Sequence, residues 1–285
     1  MKLINFQIGD RVSCGALGPG GVVDLGARLG SRAQDVLSLL RADLLGRARE
    51  WAESGRCDYT MQEARLLNPA GRCTRYFCIG VNYSERNEEY KDGSDRPKYP
   101  SLFMRSHSSF SAPGEPIVRP RESDQLDYEG EIALVIGRGG RRIPQEHALA
   151  HVFGYTCANE GTVRDWLRHA KFNVTQGKNF DRSGSLGPQI VTADEVGTDP
   201  LRIVTRVNSG VRQDDTSDRM IFPIPYLISY LSRFCTLEPG DLILTGTPSG
   251  AGARLYPPRY LVPGDRVEIE ISRVGVLSNE VIDEL

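Results

Sequence analysis

Histidine is scarce in this chain. Only four occur, at 107, 147, 151 and 169, which argues against a His-rich zinc site. Cysteine is present six times (14, 57, 73, 78, 157 and 235), but never as Cys-x-x-Cys. In a chain of this size these read as reduced thiols of a cytoplasmic protein, not as a disulfide frame. Charge of one sign is also lacking: the formal net charge is −2. That near-balance gives no electrostatic footprint for nucleic acid or an anionic membrane surface. No apolar run approaches the roughly 20 residues of a membrane span. The start, Met1-Lys2-Leu3-Ile4-Asn5-Phe6, turns polar too soon for a secretory signal.

What is present is an ordinary globular composition, 39% hydrophobic and 25% charged over 285 residues. A chain of that length can bury roughly three quarters of its unfolded surface. Thirty glycines and seventeen prolines imply many tight turns and favour a strand-rich fold over a helical bundle.

Residues 1–70 read as a small α+β domain. Strand-like segments surround the Gly18-Pro19-Gly20-Gly21 turn, and a helical stretch runs from about Ala33 to Ser54, with Val36, Leu39, Leu40 and Leu44 at core spacing. Asn68-Pro69-Ala70-Gly71 reads as a linker to a second domain, 71–285. Beyond it the pattern is mostly β: Tyr76–Val81, Ile132–Ile136, Leu201–Val207, Leu242–Leu244 and Val267–Ile271. Pro-Gly-Asp turns at 239–241 and 263–265 launch the last two of these strands. Helices are expected only from Thr162 to about Ala170 and from Ile224 to about Phe234, and Asp95–Pro100 is a polar, proline-broken loop.

The sharpest local feature is Leu126-Asp127-Tyr128-Glu129-Gly130-Glu131 running into Ile132–Ile136. Strand side chains alternate, so Glu129 and Glu131 share a face. The apolar run that follows implies a strand buried on both faces. Two carboxylates entering such a core repel each other and suffer desolvation, and a divalent cation resolves both problems. The plainer alternative is a strand end with both glutamates in water. Glu160 follows the strand His151–Ala158 at a corner, and Thr162 with Asp165 three residues on resembles a capping box. There Glu160 either faces a cleft or merely favours a helix N-terminus. Arg164 and Asp165 read as structural ion-pair residues.

Taken in order, five segments resemble the fumarylacetoacetate hydrolase family. They are Ile79-Gly80-Val81-Asn82-Tyr83, Asp127–Glu131, Asn159-Glu160-Gly161-Thr162-Val163-Arg164-Asp165, Gly177-Lys178-Asn179-Phe180-Asp181 with Leu186-Gly187-Pro188, and Leu237–Gly250 with its Thr245-Gly246-Thr247-Pro248 turn. The resemblance covers residues 76 to about 285. It implies a mixed β/α, mostly β fold, with a mixed β-roll in the second domain, and a homodimer. It implies Mg²⁺ or Mn²⁺ held by Glu129, Glu131 and Glu160, a catalytic Lys178, and a 2-oxo acid gripped at Gly246 and Thr247. Tyr83 and Arg105 complete the expected substrate contacts. The Thr245 loop lacks the Gly-Lys-Ser/Thr ending of a nucleotide-binding P-loop.

Three positions depart from the family pattern. Glu160 stands where most relatives place Asp. Arg86 stands where hydrolytic relatives carry a lid His, with Glu89 at the position of its partner Glu. Leu167 replaces a frequent Gln. Arginine cannot act as a general base near neutral pH, so activation of water is the ability most affected. Enolate formation needs only the three acids and Lys178, with Arg86 free to bind a second substrate carboxylate. The leading expectation is hydrolytic carbon–carbon cleavage of a small 2-oxo or 1,3-dicarbonyl acid, acylpyruvate- or fumarylacetoacetate-like. Decarboxylation or keto–enol isomerisation of a 2-oxo dicarboxylic acid is the alternative, and a non-catalytic binding protein is a third reading. His107 stands as a further base or as a supporting histidine.

Overall fold

The computed structural model describes residues 1–71, 73, 75–85, 96–169 and 173–285. Its centre is the strand Gly130–Ile136, all seven residues of which are buried. Apolar side chains on both faces of that strand require cover on both sides: Ile132 and Leu134 join one core, and Ala133 and Val135 join another with Val36 and Leu37. The larger sheet has eleven strands. Along its main path it runs Gly21–Asp24, Arg11–Gly18, Lys2–Ile8, Gly184–Thr192, Val152–Asn159, Gly130–Ile136, Leu242–Leu244, Tyr76–Ile79 and Leu102–Met104. A five-stranded sheet, in the order Gly210–Thr216, Arg202–Val207, Arg266–Ile271, Gly275–Asp283 and Ile117–Arg119, packs against it. Ile132 and Leu134 of the first sheet share an apolar core with Ile203, Ile269 and Leu277 of the second. The fold is therefore mixed and mostly strand, as expected.

The helix Ile224–Phe234 lies where the 3.6-residue pattern puts it, burying Leu227, Ile228 and Leu231. Both Pro-Gly-Asp turns precede strands, with Gly240 and Gly264 in the left-handed region at φ 94° and 90°. The first segment contributes to the large sheet, because Lys2–Ile8 pairs antiparallel with Gly184–Thr192. Leu3, Val36 and Leu37 accordingly share a core with Val135, Leu186 and Leu244. No helix among the described residues is long and apolar enough to cross a membrane.

Two expected helices take other forms. The stretch 33–54 is two helices, Val36–Arg41 and Leu45–Glu53, broken where Asp43 adopts φ 54°. After Glu160 there is no capped helix. Thr162–Val163 is a short strand paired with Leu126–Asp127, and a 3₁₀ turn, Arg164–Arg168, follows. The Thr162 hydroxyl donates back to the Glu160 carbonyl and Asp165 accepts from Ser123, so neither side chain is left to cap. Gly184–Thr192, Gly210–Thr216 and Gly275–Asp283 are strands that periodicity missed. Glycine and proline interrupt the first, and the second carries the polar run Arg212-Gln213-Asp214-Asp215.

Candidate metal centre

Glu129 and Glu131 stand at the entrance of the central strand, and Glu160 at the end of its neighbour Val152–Asn159. The pairing of Gly130 with Asn159 brings these ends together. Two hydrogen bonds fix the junction: the Glu160 N–H donates to the Glu129 carbonyl at 2.7 Å, and the Glu129 N–H donates to Asn159 Oδ1 at 3.0 Å. One carboxylate oxygen from each of Glu129, Glu131 and Glu160 then lies within 4.8 Å of the others. All three residues are at most 4% exposed. The alternation argument thus gives the right face, and the solvated strand end is not what forms.

Cations and dipoles offset part of this buried charge. Lys178, on the one-turn helix Thr175–Lys178, donates to Glu129 Oε2 at 2.6 Å and Glu160 Oε2 at 2.9 Å. Arg164 donates through Nη2 to Glu129 Oε1 at 2.7 Å and through Nε to Asp127 Oδ2 at 2.8 Å, an ion-pair role as expected. Glu131 Oε2 accepts the Gly246 N–H at 2.8 Å. Burial pushes the Glu131 carboxyl well above the usual range, and repulsion from Glu160 and Glu129 adds to it. Burial pulls the Lys178 ammonium down, but Glu129 and Glu160 outweigh it and the net shift is upward. Among the described residues Glu160 Oε1 is buried with no hydrogen-bond partner. A compact set of carboxylates with an orphaned buried oxygen fits a hard divalent cation that takes few carboxylates.

The centre opens on a cavity of about 670 Å³. The three glutamates, Lys178 and Arg164 line it together with the apolar Ile79, Phe103, Leu167 and Val174. Its size and mixed lining suit a small-molecule site.

Several expected substrate contacts have other partners. The Gly246 N–H is taken by Glu131, so it braces a carboxylate. The Thr247 hydroxyl borders the cavity but donates to the Gly130 carbonyl at 2.9 Å and accepts from Gln213 Nε2 at 2.8 Å. Arg105, 4% exposed, borders the cavity too, while its guanidinium bonds Ser109, Ser183 and the Gly161 carbonyl, bracing the corner after Glu160. Tyr83 is 1% exposed, bridges Met220 by its backbone, and is not among the residues lining the cavity. His107 Nδ1 meets the Tyr76 hydroxyl at 3.0 Å and is likewise off the cavity wall. Arg86 and Glu89 lie outside the described residues. Asp127, Asn159 and Gln213 are supporting residues that the reading of motifs did not single out. Asp127 and Asn159 stand inside the quoted motifs, whereas nothing around Gln213 distinguishes it.

The family model described as fumarylacetoacetate (FAA) hydrolase C-terminal matches residues 75–282. Oxaloacetate tautomerase YisK of Bacillus subtilis is 41% identical over 242 residues, covering 81% of this chain and 79% of that protein. The mitochondrial oxaloacetate tautomerase fahd2 of Xenopus laevis is 37% identical over 294 residues, 99% of this chain and 90% of its own. Among solved structures, maleylpyruvate hydrolase from Sphingobium sp. SYK-6, in complex with manganese(II) and pyruvate, is 27% identical over all of both chains, with a TM-score of 0.82.

Proposed function

The chain belongs to the fumarylacetoacetate hydrolase family, and from that premise we propose that it is a metal-dependent keto–enol tautomerase of a small 2-oxo dicarboxylic acid, oxaloacetate being the first to try. One observation carries the reading: Lys178 Nζ is held between Glu129 and Glu160 on the wall of a cavity with both polar and apolar lining. Tautomerisation moves one proton between carbon and oxygen and needs no activated water. It needs positive charge fixed beside the 2-oxygen while negative charge builds there. Glu129, Glu131 and Glu160 would hold Mg²⁺ or Mn²⁺, which would supply Lewis-acid polarisation of the 2-oxo group. Lys178 adds a hydrogen-bonded ammonium at the same oxygen. Arg164 and the Gly246 N–H brace Glu129 and Glu131, and Ile79, Phe103 and Leu167 add apolar surface to the same cavity. Glu89 is assigned the proton at carbon 3, and Arg86 the second carboxylate.

The order of the two reactions expected from sequence therefore reverses. Arg86 in place of a lid histidine removes the base that hydrolysis requires, and the relatives matched over 81% and 99% of the chain bear tautomerase names. The test is to dissolve enol-oxaloacetate into buffer containing the protein and Mg²⁺ or Mn²⁺ and follow the enol absorbance. Acylpyruvates are assayed in parallel for released pyruvate. Faster decay of the enol without acylpyruvate cleavage is expected. Cleavage of acylpyruvates, with the enol decaying at the buffer rate, would return hydrolysis to first place.

A further inference from the structure

The peptide unit between the two strand glutamates lacks the sheet neighbour that its position calls for. Leu242–Leu244 pairs with Ala133, Leu134 and Val135, then ends. Its continuation, the Thr245–Pro248 turn, peels away before it can pair with Gly130. On the other side Gly130 stands opposite Asn159, but the bonds at that end run through Glu129 and Glu160. The Gly130 N–H and C=O would be orphaned in the core, at the point that sets the angle between two carboxylates.

Side chains stand in for the missing strand. Gln213, 1% exposed on Gly210–Thr216 of the five-stranded sheet, accepts the Gly130 N–H through Oε1 at 2.9 Å. Its Nε2 donates to Thr247 Oγ1 and to the Pro248 carbonyl, both at 2.8 Å. Thr247 Oγ1 in turn donates to the Gly130 carbonyl at 2.9 Å. The result is a closed ring through Gly130, Gln213 and Thr247, joining the second sheet to the strand that carries Glu129 and Glu131. The fit is close: a Cβ on Gly130 would stand 2.1 Å from Thr205 Oγ1 and 3.3 Å from Gln213 Oε1.

We infer that Gln213 is a positioning residue for the metal centre, setting the relative orientation of Glu129 and Glu131 through the peptide between them. The inference rests on the proposed metal-binding role of those acids. Outer partners of metal ligands are worth about 10–100-fold in affinity, and the ring makes Gln213 such a partner without any contact to an ion.

The experiment titrates Mn²⁺ into metal-free protein by calorimetry and records melting temperatures in parallel. The variants are Gln213→Met, which keeps length and loses all three bonds, and Thr247→Val, which keeps shape and breaks the ring at its other member. The control is Gln189→Met, a buried glutamine bonded to the Val274 carbonyl away from the site. Both ring variants are expected to bind Mn²⁺ at least about tenfold more weakly than wild type. The double variant should be little worse than either alone, since one ring is broken once. Gln189→Met should lose stability and keep its affinity. Unchanged affinity in Gln213→Met overturns the inference, as does an equal loss in Gln189→Met, which would tie the effect to stability. Should Gln213→Met not fold, Thr247→Val decides by the same criterion. Absence of Mn²⁺ binding by the wild type would instead sink the metal centre itself, and the inference with it.

Discussion

Lys178 shows how much one buried charge can hold at the scale of the residue. Its ammonium bridges Glu129 and Glu160, and its aliphatic stem brings Nζ to 5.0 Å from the centre of the Phe103 ring. Lys178→Met keeps the stem and removes the charge, leaving two buried carboxylates short of a partner. Loss of one member of such a cluster costs about 3–5 kcal/mol. Urea unfolding of the metal-free variant should show a deficit of that order, narrowed by added Mn²⁺. Tautomerase turnover should fall by about 100-fold or more, as when a preorganised donor to an oxyanion is removed. A metal-free variant as stable as the wild type, and still active, would remove Lys178 from the site. The four residues Glu129, Glu131, Glu160 and Lys178 were legible from motifs alone. The partners that Gly246, Thr247 and Arg105 take inside the protein were not, because each comes from a segment distant in sequence.

Element by element, the centre depends on where strands stop. Val152–Asn159 ends at Glu160, and the chain escapes through Gly161, whose Cα lies so close to the next loop that a Cβ would meet the Ser183 carbonyl oxygen at 1.7 Å. Backbone cannot yield as a side-chain tip can. Gly161→Ala is therefore expected to cost about 3 kcal/mol and, by displacing Glu160, to weaken Mn²⁺ binding. Thermal melts with and without Mn²⁺ check both effects, and a normal metal-induced rise would show that Glu160 tolerates the shift. The same dependence explains why the expected helix at Thr162 does not form. The capping-like spacing is real, but pairing of Thr162–Val163 with Leu126–Asp127 competes and wins, since it satisfies backbone groups that a cap would leave to the core. Strands such as Gly210–Thr216 escaped notice because the buried positions carry polar Gln213 and Asp215 while apolar Val211 is exposed, leaving no apolar rhythm to read.

For the whole molecule, the question is what the first seventy residues do. They supply none of the residues lining the main cavity, yet Lys2–Ile8 covers the edge of Gly184–Thr192, and Leu3 packs in a core with Leu186 and Ile190. We propose that 1–70 and 71–285, although divisible along the chain, form one folding unit. A chain begun at residue 71 would present a bare, apolar strand edge, which invites aggregation. It should be recovered as insoluble protein, or melt well below the full chain without a single sharp transition. A soluble 71–285 with a cooperative melt and Mn²⁺ binding would show the two parts to be independent.

By itself the sequence determined the fold class, the buried central strand, the shared face of Glu129 and Glu131, and the order of chemical motifs along the chain. These follow from side-chain alternation and hydrophobic runs, which are local properties of a polypeptide. Only the tertiary structure decided which donors remain for a ligand and which are spent inside the protein, and that Gln213 closes the gap left beside Gly130. The physical reason is that a hydrogen-bonding group acts on whatever is within about 3 Å of it, and at this site those neighbours arrive from parts of the chain that no motif links.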